Sequence, residues 1–258
     1  MTQSDLATTH TTMQTPLNGL AAVTIRELEH SYGPLRVIEN FNLEIKRHEF
    51  LAIVGPSGCG KTTLLSLLSG YEQPTKGQIE RHGEVRMIYQ QGGLFPWLTV
   101  AENIGLGLRR LSKGSERQKK LAEMLELVEL PMFADSYPHQ LSGGMKQRAE
   151  LARALADESD ILLMDEPFSS LDYIARLQLR QELGRILSLR PRTVVLVTHD
   201  LEEAAHLADR VIVLSERPAR IQCELVVNAP RPRNLTHPAV IETTQRLLIE
   251  MGLEGASK

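Results

Sequence analysis

The chain of 258 residues has room for one large α/β domain, or for one domain carrying an inserted subdomain. Hydrophobic residues make up 42%, enough for a packed core, which excludes global disorder, and a formal net charge of −3 leaves no electrostatic footprint for nucleic acid. Two isolated cysteines, Cys59 and Cys223, make no disulfide framework and fit a reducing, cytosolic compartment.

Residues 1–20 are rich in Thr and Gln, with no basic start and no apolar run, and are expected to form a flexible tail and not a secretory signal. Ala21–Leu28 and Phe41–Lys46 alternate as half-buried strands do. Phe50–Val54 is a continuous apolar run, the pattern of a strand covered on both faces. The string Gly55-Pro56-Ser57-Gly58-Cys59-Gly60-Lys61-Thr62 follows and fits the phosphate-loop pattern G-x-x-x-x-G-K-[ST]. Glycines let backbone N–H groups turn inward around phosphate oxygens, and a helix predicted over residues 62–69 adds the positive end of its dipole. Lys61 is placed to reach the β and γ phosphates, Thr62 to ligate Mg²⁺, and Thr63 to join the ATP-binding set. A glycine-rich turn with a chance lysine would have no reason to sit between a strand and a helix.

Cys59 lies two positions before Lys61, where a helix dipole and a lysine favour thiolate. A reactive thiol shielded by ATP is therefore expected; a small residue filling space under the loop is the alternative.

Gln73–Gly77 reads as a turn and Glu84–Tyr89 as a strand. From Thr99 the period becomes helical. Thr99 with Glu102, and Ser115 with Gln118, make capping-box patterns, and Leu121, Met124, Leu125 and Val128 recur at helical spacing. Leu141-Ser142-Gly143-Gly144-Met145-Lys146-Gln147-Arg148 sets a serine and two glycines before another helix, a second anion site. An ordinary Ser-capped helix would explain Ser142 but not the whole string.

Strand signals return at Ile161–Met164, Val194–Val197 and Val211–Leu214, with helical patterns at 172–189 and 201–208. The first of these strands ends in Asp165 and Glu166. A hard divalent cation favours carboxylate oxygens, so Asp165 is the candidate for Mg²⁺; in-line attack needs a polarised water, so Glu166 is the candidate for that role. Read alone, the pair has a helix cap as its alternative, which the phosphate loop upstream makes the weaker one. Pro230-Arg231-Pro232-Arg233 precedes an expected short amphipathic helix carrying Val240, Ile241, Leu247 and Leu248. No apolar stretch approaches the ~18 residues of a membrane span, so any membrane role must come through a partner.

With these motifs in this order the chain resembles an ABC ATPase over about residues 20–225, and Leu141–Arg148 matches that family's signature. The resemblance implies an α/β fold, a P-loop NTPase (RecA-like) core with an N-terminal antiparallel β part and an inserted helical subdomain at about 91–158. The ATPase domain would span 21–225, with an extension over 226–258. Tyr32 lies where the family has an aromatic that stacks on adenine. Gln90 lies where it has a glutamine that senses Mg²⁺ and water. His199 resembles the histidine that contacts the γ-phosphate, and Ser169–Asp172 the loop that meets the opposite subunit, through Asp172. Two chains, a second copy or a homologous ATPase subunit, would pair head to tail. Ser142, Gly143, Gly144 and Gln147 of one would then close over ATP held by Lys61 and Thr62 of the other.

Integral membrane permease subunits are implied as separate polypeptides, placing the chain on the cytoplasmic face of the inner membrane. A periplasmic or surface solute-binding protein would act indirectly. Phe95, Pro96 and Trp97 would form a socket for the permease; Trp97 packing inside the helical insert is the competing reading. Leu94–Val100 and Leu214–Ile221 resemble importers of nitrate, sulfonates and taurine, with Ala219 where that group has glycine. A non-transport ABC ATPase for chromosome maintenance would need a long coiled-coil insertion, and no heptad run is present. A nucleotide-gated regulator without turnover should lack Glu166, His199 or Ser142, and all three are present.

Overall fold

A computed structural model describes residues 20–89, 93–111 and 114–253. In chain order its elements are β1 (Ala21–Tyr32), β2 (Leu35–Lys46), β3 (Phe50–Val54), α1 (Lys61–Ser69), β4 (Lys76–Arg81), β5 (Val85–Ile88), α2 (Val100–Gly107), α3 (Ser115–Leu127) and α4 (Gly143–Ala156). There follow β6 (Ile161–Asp165), α5 (Tyr173–Leu189), β7 (Thr193–Val197), α6 (Leu201–Leu207), β8 (Arg210–Leu214), β9 (Ile221–Val226) and α7 (Pro238–Glu250).

The strands form two sheets. A six-stranded sheet runs β5-β6-β7-β3-β8-β9, parallel except for β9. Its central strands β3, β6 and β7 are buried at every residue, which is why each reads as an unbroken apolar run. Alternation still operates inside it. Phe50, Ala52 and Val54 enter the core shared with the helices, while Leu51 and Ile53 enter the core shared with α1 and the antiparallel sheet. That second sheet has the order β2-β1-β4. Parallel strands with this order bring the carboxyl ends of β3, β6 and β7 side by side, where open α/β sheets bind ligands.

Four local readings need correction. First, β1 and β2 run well beyond the expected strands. Bulges interrupt their register, with Glu27 and Asn40 in left-handed conformations, so the alternation breaks and hides the strand. Second, the turn read over Gln73–Gly77 runs into a strand, β4, that the sequence did not signal. It is a charged edge strand in which only Ile79 and Arg81 are half-buried, and Gly77 lets it pass the bulge: a Cβ there would lie 2.3 Å from the Glu27 carbonyl oxygen. Third, the Ser115–Gln118 capping box does not form; Ser115 is already helical, and Gly114 precedes it without a side-chain cap. The Thr99–Glu102 box does form, with both reciprocal hydrogen bonds. Fourth, α7 buries Val240, Thr243 and Leu247, whereas Ile241 faces outward.

The segment before α7 is tied to the domain. Arg233 donates to the Ala208 carbonyl at 2.6 Å, Arg231 pairs with Asp209 at 2.9 Å, and a His206 ring nitrogen lies 2.7 Å from the Arg233 carbonyl. The expected N-terminal tail falls, apart from Leu20, outside the described residues. No helix among the described residues is long and apolar enough to cross a membrane.

Candidate functional site

Residues 55–60 link β3 to α1. Gly58 and Gly60 hold φ of 75° and 124°, conformations that a side chain would strain. The loop also needs closeness: a Cβ on Gly60 would meet Val37 at 2.9 Å. Helix α1 begins at Lys61 without a side-chain cap, which leaves its first N–H groups for an anion. Lys61 is only 8% exposed, and its Nζ donates to the carbonyls of Gly55 and Pro56 at 2.7 and 2.9 Å. The ammonium is thus held inside the ring of the loop. Ser57, Gly58 and Thr62 face solvent, and Thr63 is half-buried.

Asp165 closes β6 beside this loop, with the Thr62 hydroxyl near its carboxyl. Burial pushes that carboxyl above its ordinary value; the Thr62 hydroxyl and Lys61 pull the other way, while Glu166 adds to the rise. A hydroxyl and a carboxylate side by side are the hard oxygen donors a Mg²⁺ ion takes when phosphates supply the rest.

Glu166 holds φ of 47°, a left-handed conformation that costs a non-glycine residue of order 1 kcal/mol or more. Several bonds hold it there. Its N–H donates to the Val197 carbonyl at 2.9 Å, and its own carbonyl accepts from Ser169 and Gln147. The turn aims the side chain toward β7, where Glu166 Oε1 lies 3.1 Å from His199 Nδ1. Tyr32 stands at the other rim, about half exposed. Its hydroxyl donates to Glu72 at 2.6 Å, and it also bonds the Thr63 side chain; its ring meets His30 edge-on at 4.8 Å. Burial, then Glu72, raises its phenol.

The structure therefore gathers Tyr32, residues 55–63, Asp165, Glu166 and His199 along one edge. The signature residues open α4. Ser142 caps α4, its Oγ accepting from Met145 N–H at 3.2 Å; Ser142 and Gly143 are exposed, and a Cβ on Gly143 would meet nothing within 4 Å. Gly144 rests on Ser170. Gln147 departs from its expected place among residues that close over a partner's ATP. It is 6% exposed and turned into its own chain: its Nε2 donates to the Glu166 carbonyl at 3.1 Å, and its Oε1 accepts from Ser170 N–H at 2.9 Å. Asp172 caps α5 through Ala175 N–H at 3.0 Å. Gln90 lies outside the described residues.

Cys59 is 2% exposed, with its sulfur packed under Gly55. Burial pushes its thiol up, against the nearby Lys61. The space-filling alternative holds, and the reactive thiol does not. Trp97 is 69% exposed, which removes the core-packing reading; its ring leans on Phe95 at 5.4 Å, and Arg153 lies over Phe95. The buried Asn103 fixes this loop, accepting from Phe95 N–H and donating to the carbonyls of Phe95, Leu98 and Thr99.

One group had no signal in the sequence. Beneath His199, the fully buried Arg180 bonds Asp200 and lies 3.6 Å from Glu203, and Arg176 reaches Asp200 at 3.2 Å. Thr198 donates to Glu203 at 2.6 Å and accepts from Asp200 N–H. Burial pushes Glu203 up to about 7, while burial of Asp200 is outweighed by the Glu203 N–H and the two arginines, which hold its carboxyl below the usual range. The network clamps the turn that presents His199 between α5 and α6.

Comparison with known proteins agrees with this geometry. The profile of the ABC transporter family matches residues 38–169. An aliphatic sulfonates import ATP-binding protein of Nocardia farcinica is 41% identical over 237 residues, 92% of this chain and 95% of that one. An ABC transporter ATP-binding protein of Methanocaldococcus jannaschii is 42% identical over 230 residues, 85% of this chain and 86% of that one. Among solved structures, a dimeric ATP-binding cassette in a post-hydrolysis state, bound to ADP and Pi, aligns with a TM-score of 0.72 at 32% identity, over 80% of this chain and 99% of that one.

Proposed function

This chain belongs to the ABC transporter family as an ATP-hydrolysing subunit of the sulfonate-importer type, and from that premise we propose that it works as half of a composite dimer driving uptake of a small solute. The observation that carries this is the gathering of Lys61, the Thr62–Asp165 pair and the Glu166–His199 pair at the carboxyl ends of three adjacent strands, while Ser142 and Gly143 stand open elsewhere.

Each residue's part follows from its chemistry. Loop N–H groups and Lys61 bind the β and γ phosphates, and Tyr32 offers an exposed ring for adenine. Thr62 and Asp165 hold Mg²⁺, which when bound neutralises charge on the phosphates. Glu166 accepts a hydrogen bond from the attacking water and polarises it; His199 orients Glu166 and faces the γ-phosphate, and the family resemblance gives Gln90 the part of sensing Mg²⁺ and water. Ser142, Gly143 and Gly144 of the partner close over the phosphate from the other side, and Asp172 lies at the seam. ATP then joins two subunits, and hydrolysis releases them.

In the same reading residues 21–225 are the ATPase domain, with 91–158 a helical subdomain and 226–258 an extension. Phe95, with the exposed Trp97 leaning on it, borders a cleft of about 510 Å³ with Tyr89, Leu106 and Arg153 along it, a fit for a permease helix at the cytoplasmic face of the membrane. The solute is an aliphatic sulfonate, taurine, nitrate or a related compound, delivered by a solute-binding protein. Glu166→Gln tests the chemistry. ATP affinity should stay within about twofold while turnover falls at least about 10²-fold; normal turnover would remove Glu166 from its role.

A further inference from the structure

At the amino ends of the same parallel strands lies a second polar cleft, of about 300 Å³. Ala22 of β1 and four polar segments wall it: Arg47 and His48 between β2 and β3, His82 after β4, Glu158–Asp160 before β6, and Arg190–Thr193 at the start of β7. The phosphate loop follows the carboxyl end of β3, so one five-residue strand, roughly 16 Å, separates the two sites.

The walls are fixed by bonds between segments. His48 N–H donates to Thr193 Oγ1 at 3.0 Å, and its ring Nδ1 lies 3.1 Å from the Pro191 carbonyl. Arg47 Nη2 donates to the His82 carbonyl at 3.3 Å, and His82 N–H to the Ala22 carbonyl at 2.8 Å. Arg192 Nη2 donates to the Leu155 carbonyl at 3.3 Å.

Three lining residues each bury a polar atom without a partner: Arg47 Nε, Ser159 Oγ and Arg192 Nη1. Arg192 is 9% exposed and Ser159 3%. A guanidinium N–H can only donate, and leaving it buried and unmatched is costly. The fixed charges along the cleft are Arg47, Arg190 and Arg192 against Glu158 and Asp160, and Asp160 is engaged by Glu84 N–H at 2.8 Å. His48 and His82 add positive charge when protonated. Cationic surplus, orphaned donors and a rigid frame suit an anion with several acceptor oxygens, and the volume sits at the small end of ligand pockets.

We propose that this cleft is an oxyanion site of the phosphate-monoester class, separate from the ATP site. Its occupant bridges the antiparallel sheet, the end of the helical segment at Glu158–Asp160 and the α5–β7 connection. Because it binds only the folded arrangement of these four segments, it stabilises the chain in proportion to its occupancy.

The test is a titration of the ADP-saturated protein with inorganic phosphate at constant pH, read from histidine ring resonances by NMR. His48 and His82 should shift saturably, and His199, on the ATP side, should not follow the same curve. Arg47→Gln should weaken binding at least tenfold, with Arg192→Gln a second probe; Arg47 is half-buried, so its variant carries the test if Arg192→Gln fails to fold. Tighter binding of glycerol 3-phosphate than of phosphate assigns a phosphorylated metabolite, and equal binding assigns free phosphate. Shifts at His48 and His82 that do not saturate, or that saturate equally in Arg47→Gln, overturn the proposal and leave the ATPase assignment intact.

Discussion

The loop around Lys61 and the turn before α4 are both helix entrances built from glycine and small polar residues, yet the fold treats them differently. At the loop, Gly55 rests on Leu214, Gly60 on Val37, Cys59 fills the space beneath, and the ammonium of Lys61 is drawn inside. No side chain caps α1, so the anion site is built but left open for phosphate. At the signature turn, Ser142 spends its hydroxyl on capping α4, and Gly143 faces open space. The first region is enclosed by its own chain; the second is an open surface, which the proposed dimer would cover. The Gln147 amide ties the signature helix to the backbone of Glu166 and Ser170.

The most forceful way to break this comparison is Ser142→Arg. Bulk on the open surface should stop closure and reduce hydrolysis by about 10²-fold or more, while ATP affinity of the isolated subunit stays within about twofold. Steady-state turnover and calorimetric ATP binding, measured together, check this; lost binding in the isolated subunit would mean that one chain forms both walls.

Next in size is Arg180→Met, which tests how far the built region extends below His199. The change leaves Glu203 and Asp200 without their buried cation and should cost about 3–5 kcal/mol. Urea unfolding reads this directly, and a cost under about 1 kcal/mol would show that the network does not support the site.

The same network sets a pH dependence. Folded Glu203 titrates near 7, above its unfolded value of about 4.3, so its contribution to stability is complete at low pH and is lost as pH rises through about 7. His206, pushed down by burial, acts with the opposite sign: its contribution is present above the ordinary histidine value and fades on acidification. Glu203→Gln separates the two. Relative to that variant, wild type should lose on the order of 2 kcal/mol between about pH 5 and pH 8, and parallel stability curves would contradict the assignment.

The smallest effect sharpens the picture of the loop. A sulfur as buried as that of Cys59 should resist maleimide in the nucleotide-free protein, with less than about twofold loss of activity. Labelling at Cys59 seen by mass spectrometry would show that the loop opens.

What was legible in the sequence was local. The phosphate loop, the Ser142 turn and the strand ending in Asp165 and Glu166 each lie in a single run, with chemistry fixed by spacing. The direction of Gln147 was also available, because Gln147, Glu150, Leu151 and Ala154 repeat at helical spacing and α4 buries them together. The Arg180 cluster was not legible, since Arg180 meets Asp200 and Glu203 across a helix, a strand and a turn, and no pattern links them. Nor were β4 and the turn half of the β1–β2 hairpin, where bulges at Glu27 and Asn40 and a charged edge erase the alternation. The depth of Cys59 followed only from packing.

The central claim is that ATP is held between two chains, the built region of one meeting the open surface of the other. Analytical ultracentrifugation of Glu166→Gln with Mg-ATP tests it most directly. The account expects a dimer that forms with ATP, dissociates with ADP, and is absent when Ser142→Arg is added to the same chain. A Glu166→Gln protein that binds ATP and stays monomeric, or a dimer indifferent to Ser142→Arg, would contradict it.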